Sequence, residues 1–391
     1  MKRYLKDFNL TLGFVKASIF DCLNRQRWTR RDTSVMLAEY KLLYLYEKGK
    51  PIQNKIKLAR EIQKIARKDK TQLYWLVDYI SLKIYDEIIN KKIHLDAIRY
   101  SKRIDGISKK TREIGISSMK QQLYDYIVVN ACKEMFLAKI GHYQCASLEF
   151  KGQVFGKSAI ETWIRTNPRK CQYVWKADVK KFYPSVNHEI IKRLLARDIK
   201  NKTILYVMYY LIDTYKEGLC IGSYLCQYLA NYYLSYAYHY VTENLYTERR
   251  GKRINLISHV LFYMDDIIMF SPNKKNLKIA SKKLEKYLNK ELGLELKPTH
   301  QLFPLDSRPI DAMGYQIYTY KTIVRNRIYK KANRVFKNVL KNKNMTLKQA
   351  YRVVSYNGYF RHSYSYKYIQ KVKLDETLEK AKEVISNAAN S

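Results

Sequence analysis

The chain has 391 residues, 47% of them hydrophobic, with 74 Lys and Arg against 35 Asp and Glu and a formal net charge of +39. At roughly 150 residues per domain this length suits two or three packed domains, and the hydrophobic content excludes wholesale disorder. So large a positive charge makes nucleic acid the default partner; codon bias in an AT-rich genome would account for many of the lysines but not for the scarcity of acids.

Residues 1 to about 100 read as helical, because SVMLAEYKLLYLYEKGK and LVDYISLKIYDEIINKKI carry apolar residues three and four apart. From about 104, IDGISKKTREIGISS is short, β-leaning and broken by Gly106 and Gly115. The helix QQLYDYIVVNACKEMFLAKI follows, with Gly141 placed as a C-cap. YVWKADV reads as a strand ended by Pro184, and HEIIKRLLARDI as a helix started by Ser185 or Asn187. A long helix is expected over about 223–247, and HVLFYMDDIIMF as two strands joined at an acidic turn. NLKIASKKLEKYLNKEL is amphipathic, two short strand-like runs fall around 294–325, and from 328 the chain is helical again. Strands set among helices point to an α+β centre.

Other classes drop out. No apolar run approaches the ~18 residues of a membrane span, and Lys6, Asp7 and Lys16 interrupt any signal-peptide core. Cys22, Cys132, Cys145, Cys171, Cys220 and Cys226 form no CxxC pair, so a reduced cytoplasmic protein without a zinc cluster or disulfide framework is expected. The histidines form no metal-binding pair, and no repeat stands out.

Asp265 and Asp266 stand between the apolar runs Val260–Tyr263 and Ile267–Phe270. Taken alone they fit an exposed hairpin turn. Asp178, however, ends another strand-like run, YVWKAD, so two neighbouring strands would bring three carboxylates together. Such a set in a basic protein suits hard divalent cations, Mg²⁺ first, with Mn²⁺ as a substitute. Two ions ~3.5–4 Å apart activate a 3′-hydroxyl and stabilise a leaving pyrophosphate, which is nucleotidyl-transfer chemistry. Between the acids lies GLCIGSYLCQYLANYYLSYAYHYV, where Gly218 and Gly222 permit close backbone approach to a ligand. Gln227 and Asn231, four apart, share a helix face that is either turned to a base pair or template strand or part of a core helix.

Together these blocks resemble the palm of reverse transcriptases. KADVKKFYPSV is similar to that family's motif A, GLCIGSYLCQYLAN to motif B and YMDD to motif C, in the right order and with Asp265 following Asp178 by 87 positions. KKTREIGISS and HYQCASLEFKGQVFGKSAIETWI resemble fingers blocks, LGLELKPTH motif D and DAMGYQIY the motif E hairpin, so the resemblance runs from about 104 to 325. It implies metal ligation and catalysis by Asp178, Asp265 and Asp266. It places Arg112, with Lys109 and Lys110, at the incoming triphosphate, and Tyr183 as an aromatic gate against a ribose 2′-hydroxyl, favouring deoxynucleotides. Gly222 and Gln227 fall in the nucleotide pocket and Asn231 beside nucleic acid; Lys297 is either a proton donor to pyrophosphate or one surface lysine among many. The chain departs from the family at Cys220, Ile221 and Cys226, where Pro, Gln and Ser are frequent, and none of these is a metal ligand.

In IYKKANRVFKNVLKNKN, Lys330, Arg334, Lys337 and Lys341 form one helical stripe and Tyr329, Ala332, Phe336, Val339 and Leu340 the other, suited to packing on one face and phosphate contact on the other. YNGYFRHSYSYKYI adds tyrosines and arginines suited to stacking or phosphate contact. The expected architecture is a right-hand polymerase: a helical N-terminal extension (1–100), fingers (101–170), palm (171–325) and helical thumb (326–391). No segment resembles an RNase H or endonuclease domain, and the compact plan resembles domesticated bacterial enzymes, notably the anti-phage defence group and, less closely, diversity-generating retroelements. The resemblance implies RNA-templated addition of dNTPs to a 3′ end, a cognate structured non-coding RNA, a DNA product, and assembly as a homo-oligomer or with a partner protein. Untemplated or protein-primed synthesis by the same site stays open, given 37 tyrosines. An idle RNA-binding scaffold is the remaining alternative.

Overall fold

The computed structural model of the protein describes residues 3–25, 27–104, 111–342 and 344–390. The amphipathic spacing at the start folds as helices Leu12–Asn24, Arg31–Glu47, Lys55–Asp69 and Tyr74–Ile89, the last ending at Ile89 rather than near residue 100. Their apolar faces, including Val15, Ile19, Ile80 and Ile84, share one hydrophobic core with the helix Met119–Ala131 and the palm. Polar ties seal the contact. Asn130 Nδ2 donates to Asp21 Oδ2 at 2.9 Å, and Glu87 accepts from Lys120 Nζ at 2.8 Å and from the Tyr124 hydroxyl at 2.6 Å. The N-terminal helices are therefore packed onto the helix Met119–Ala131.

Strands β1 (Arg99–Ile104) and β2 (Thr111–Ile116) form the antiparallel fingers hairpin. The helix expected to end at Gly141 breaks into Met119–Ala131 and Lys133–Lys139, capped by the extended Ile140. Gly141 is not a left-handed cap. It is small because a β-carbon there would lie 2.1 Å from the ring of Tyr238. Strand β3 (Tyr173–Asp178) precedes the helix His188–Asp198, whose N-cap Asn187 accepts from Ile190 N. The helix Tyr224–His239, capped by Ser223, ends in a π-helical turn at Tyr240–Asn244 rather than running to 247. A hairpin not foreseen from the sequence follows, β4 (Tyr246–Arg249) and β5 (Lys252–Asn255). Strands β6 (His259–Tyr263) and β7 (Asp266–Ser271) come next, then the helix Lys274–Leu292, closed by left-handed Gly293.

The two strand-like runs expected over 294–325 resolve into four: β8 (Gln301–Pro304), β9 (Ile310–Ala312), β10 (Tyr315–Ile317) and β11 (Thr322–Val324). The palm sheet has the order β6-β7-β3-β8, antiparallel throughout, and β9, β10 and β11 form a second sheet beside it. Helices Asn326–Lys341, Leu347–Arg361, Tyr366–Lys371 and Leu374–Asn390, where the thumb is expected, form a helical unit with its own core around Phe336 and Phe360. The architecture is that of a right-hand polymerase. No helix among the described residues is long and apolar enough to cross a membrane.

Candidate active site

The central strands of the palm sheet are apolar on both faces, with Val174, Trp175, Ala177 and Ile267–Phe270 buried, so charge collects at the strand ends. Asp178, the last residue of β3, lies in register with Asp266, the first of β7. The β6–β7 connection is a tight turn of Met264, at φ +53°, and Asp265. Val179 N donates to Asp265 O at 3.0 Å, which locks that turn beside the end of β3. The three sequence-predicted acids thus share one end of the sheet.

Asp178 ends β3 opposite the start of β7 at Asp266, so the two carboxyls are neighbours. The Asp266 carboxyl, then Lys297, holds Asp178 below the usual carboxylate range. Burial, then the neighbouring Asp178, pushes Asp266 up. Burial also raises Asp265, with Asp178 adding and Lys297 and Arg112 opposing. Lys297 Nζ donates to Asp178 Oδ2 at 2.8 Å while its backbone N donates to Asp178 O at 2.9 Å. Lys176 Nζ lies 3.8 Å from Asp266 Oδ1. Among the described residues, no three His, Cys, Asp or Glu side chains close into a cation cage. The paired carboxyls nonetheless fit Mg²⁺, which is typically held by one or two carboxylates plus substrate phosphates rather than by an all-protein shell. Like charges brought this close require a proton or a cation between them.

Beside the acids, Tyr183 is half-buried, with its hydroxyl 3.9 Å from Met264 Sδ. Burial raises its pKa, with Cys226 and Asp265 adding and Arg112 opposing. Arg112 sits exposed on β2. Lys109 and Lys110 lie outside the described residues. The loop before the Tyr224–His239 helix is clamped from two sides. Leu219 N donates to Tyr183 O at 2.8 Å, and Gly115 N donates to Ile221 O at 2.9 Å. A β-carbon on Gly218 (φ +50°) would lie 2.2 Å from Tyr183 O, and one on Gly222 (φ +117°) 2.7 Å from Gly115 O. The close approach expected with a ligand is therefore backbone against backbone, which docks the fingers strand and the Tyr183 turn onto this loop.

Gln227 is half-buried. Asn231 corrects the expectation of a nucleic-acid contact. It is 1% exposed, and its amide nitrogen donates to Ala146 O at 3.0 Å and Gln227 O at 2.9 Å. A helix this deep in the core turns its polar residues to backbone carbonyls. Asp125 went unnoticed in the sequence because an acid inside YDYIVV reads as an ordinary helix residue. It is fully buried, accepts from Ser223 Oγ at 2.9 Å, and so ties the fingers helix to the N-cap of the Tyr224–His239 helix. Burial raises its pKa to about 7, against the Ser223 hydrogen bond.

On the thumb helix Asn326–Lys341, Lys330, Arg334, Lys337 and Lys341 are all exposed. The packed face is Ile328, Ala332, Val335, Phe336 and Val339. Tyr329 and Leu340, expected on that face, are 37% and 47% exposed, because the buried stripe follows the i, i+4, i+7, i+8 spacing from Ile328.

Residues 98–317 match the family model described as Reverse transcriptase (RNA-dependent DNA polymerase). The chain belongs to the reverse transcriptase family. It is an RNA-directed DNA polymerase, and the match takes in all three acids, Tyr183 and the Gly218–Gly222 loop. No curated protein matches this reverse transcriptase. Among solved structures it is similar to telomerase from Candida tropicalis in complex with the TWJ fragment of telomeric RNA, at 13% identity and a TM-score of 0.42, over 85% of this chain and 70% of that one.

Proposed function

We propose that this reverse transcriptase extends a 3′ end with deoxynucleotides on an RNA template at the Asp178–Asp266 pair. The observation that carries this reading is the register of Asp178 against Asp266 beside Asp265, with Lys297 hydrogen-bonded to Asp178. Asp178, Asp265 and Asp266 would hold Mg²⁺ or Mn²⁺, and two such ions, when bound, lower the pKa of an attacking hydroxyl and neutralise charge on the leaving group. Arg112 binds phosphate oxygens of the incoming nucleotide. Tyr183 fills the space that a 2′-hydroxyl would need, so deoxynucleotides are selected by exclusion. Lys297 carries a proton within reach of the site, and its hydrogen bond to Asp178 raises its pKa although burial works against it, so it stays charged until a developing phosphate charge draws the proton off. The exposed cations Lys330, Arg334, Lys337 and Lys341 hold the template–primer backbone.

The template is a cognate structured RNA, and the biological role is anti-phage defence; the net charge of +39 supports a nucleic-acid partner. The test is sequencing of nucleic acids co-purified with wild type and with Asp265→Ala/Asp266→Ala, in RNase- and DNase-treated halves. A defined RNA with complementary DNA in wild type, and the RNA alone in the variant, is the expected result. DNA that matches no RNA would favour untemplated or protein-primed synthesis instead.

A further inference from the structure

The β4–β5 hairpin has no part in the site described above. Its central residues Arg250 (φ +52°) and Gly251 (φ +71°) both take left-handed conformations, the geometry of a two-residue turn that follows the natural strand twist. Nine of its ten residues from Tyr246 to Asn255 are exposed, Gly251 at the turn among them; only Tyr246 is half-buried. An isolated two-stranded hairpin gains little stability from its own packing. The composition makes this one worse. In the register, Arg249 stands directly opposite Lys252, a like-charge cross-strand pair that destabilises a ribbon, and Arg250 adds a third cation at the turn. Among the described residues none of Arg249, Arg250 and Lys252 has an acid within ion-pair distance. Arg253 is held apart on the other face, its guanidinium 3.7 Å from the centre of the Tyr246 ring.

A second basic segment lies close by. Ser258 Oγ, three residues past the hairpin, donates to Lys170 O at 2.6 Å, and Arg169 and Lys170 are exposed in that turn. The hairpin leads into the His259 end of β6, whereas the acids sit beyond Tyr263 at the other end. At about 3.3 Å per residue the strand separates the two ends by roughly 15 Å.

We propose that the β4–β5 hairpin is an RNA-docking arm, in which Arg249, Arg250 and Lys252 grip consecutive phosphates of a folded RNA away from the templating strand. This rests on the reading of the chain as an RNA-templated enzyme. A polyanion turns the Arg249–Lys252 repulsion into attraction from both strands at once, which no internal partner does. The position at the far end of the palm assigns it to RNA that anchors the template rather than to the primer duplex.

The test uses the full chain with Arg249→Gln/Arg250→Gln/Lys252→Gln, and a matched variant with Arg249→Lys/Arg250→Lys that keeps the charge. Binding of a labelled, primer-free RNA stem-loop is followed by anisotropy across a salt series, and dNTP addition is followed at saturating RNA–DNA template–primer. The glutamine variant is expected to bind the stem-loop more weakly, with the slope of log affinity against log salt reduced by about 2 to 3, as loss of three phosphate contacts requires. Its extension rate should be unchanged, and the lysine variant should bind like wild type. An unchanged affinity and slope would overturn the arm, as would a loss confined to duplex DNA. Failure of wild type itself to bind RNA or extend the primer would instead remove the RNA-templated reading on which the arm rests.

Discussion

The carbonyl oxygen of Tyr183 lies 2.2 Å from where a β-carbon would stand on Gly218, and Leu219 N donates to that same oxygen at 2.8 Å. The residue proposed as the sugar gate is thus positioned through its backbone by the loop that precedes the Tyr224–His239 helix. His188 Nε2, donating to Gly218 O at 2.6 Å, braces the loop from below. Gly218→Ala would demand a left-handed alanine, at about 1–2 kcal/mol, and displacement of the Tyr183–Pro184 backbone, at about 1–3 kcal/mol more. The expected result is a lowered melting temperature with a raised KM for dNTPs, measured by thermal unfolding and steady-state extension. An unchanged KM would show that the loop does not position the gate.

The gate itself is tested by discrimination. Tyr183→Ala removes the ring beside Asp265 and should lower the preference for dNTPs over rNTPs by about 10²-fold, the scale on which pocket shape separates substrates differing by one small group. Tyr183→Phe keeps the ring and loses only the weak hydroxyl contact to Met264 Sδ. It should discriminate like wild type in competitive single-nucleotide incorporation.

Asp266→Asn and Asp178→Asn each remove one carboxylate of the pair that lies in register across β3 and β7. Loss of several kcal/mol of charge stabilisation corresponds to a fall of about 10³-fold or more in incorporation rate. RNA affinity by filter binding should remain near wild type, because the thumb cations lie on a separate core. Retained extension in both variants would move the chemistry elsewhere.

Stability should vary with pH through Asp125. Its carboxyl titrates at about 7 in the folded chain, against an ordinary value of 3.8, so between those values the folded state binds more protons than the unfolded one. The contribution is therefore complete below pH ~4, falls as pH rises towards ~7, and is flat above. Asp125→Asn keeps an acceptor for Ser223 Oγ and should flatten that slope by a few kcal/mol over the interval. Chemical denaturation at several pH values measures it, and an unaltered slope would assign the linkage to another group.

The palm was legible because its signals are local in sequence: YVWKAD ends a strand in an acid, GLCIG makes a glycine turn before a helix, and YMDD sets acids at a turn between strands. The thumb stripe was legible for the same reason, a 3.6-residue period, although the packed face is rotated enough to expose Tyr329 and Leu340. Asn231 was misplaced because helical spacing tells which residues share a face but not which face meets the core. The β4–β5 hairpin was missed because its ten residues show no apolar alternation; its turn geometry and cross-strand pairing alone define it.

By itself, then, the sequence determined the polymerase class, through the order and spacing of its motif-like blocks, and pointed to three acids and a polyanionic partner. The tertiary structure alone decided that Asp178 faces Asp266 rather than Asp265, that Gly218 and Gly222 serve backbone contacts within the chain, and that the first ninety residues share the core of the fingers. Each of these depends on strand register or on which faces are buried together, and both are set by packing between segments far apart in the chain.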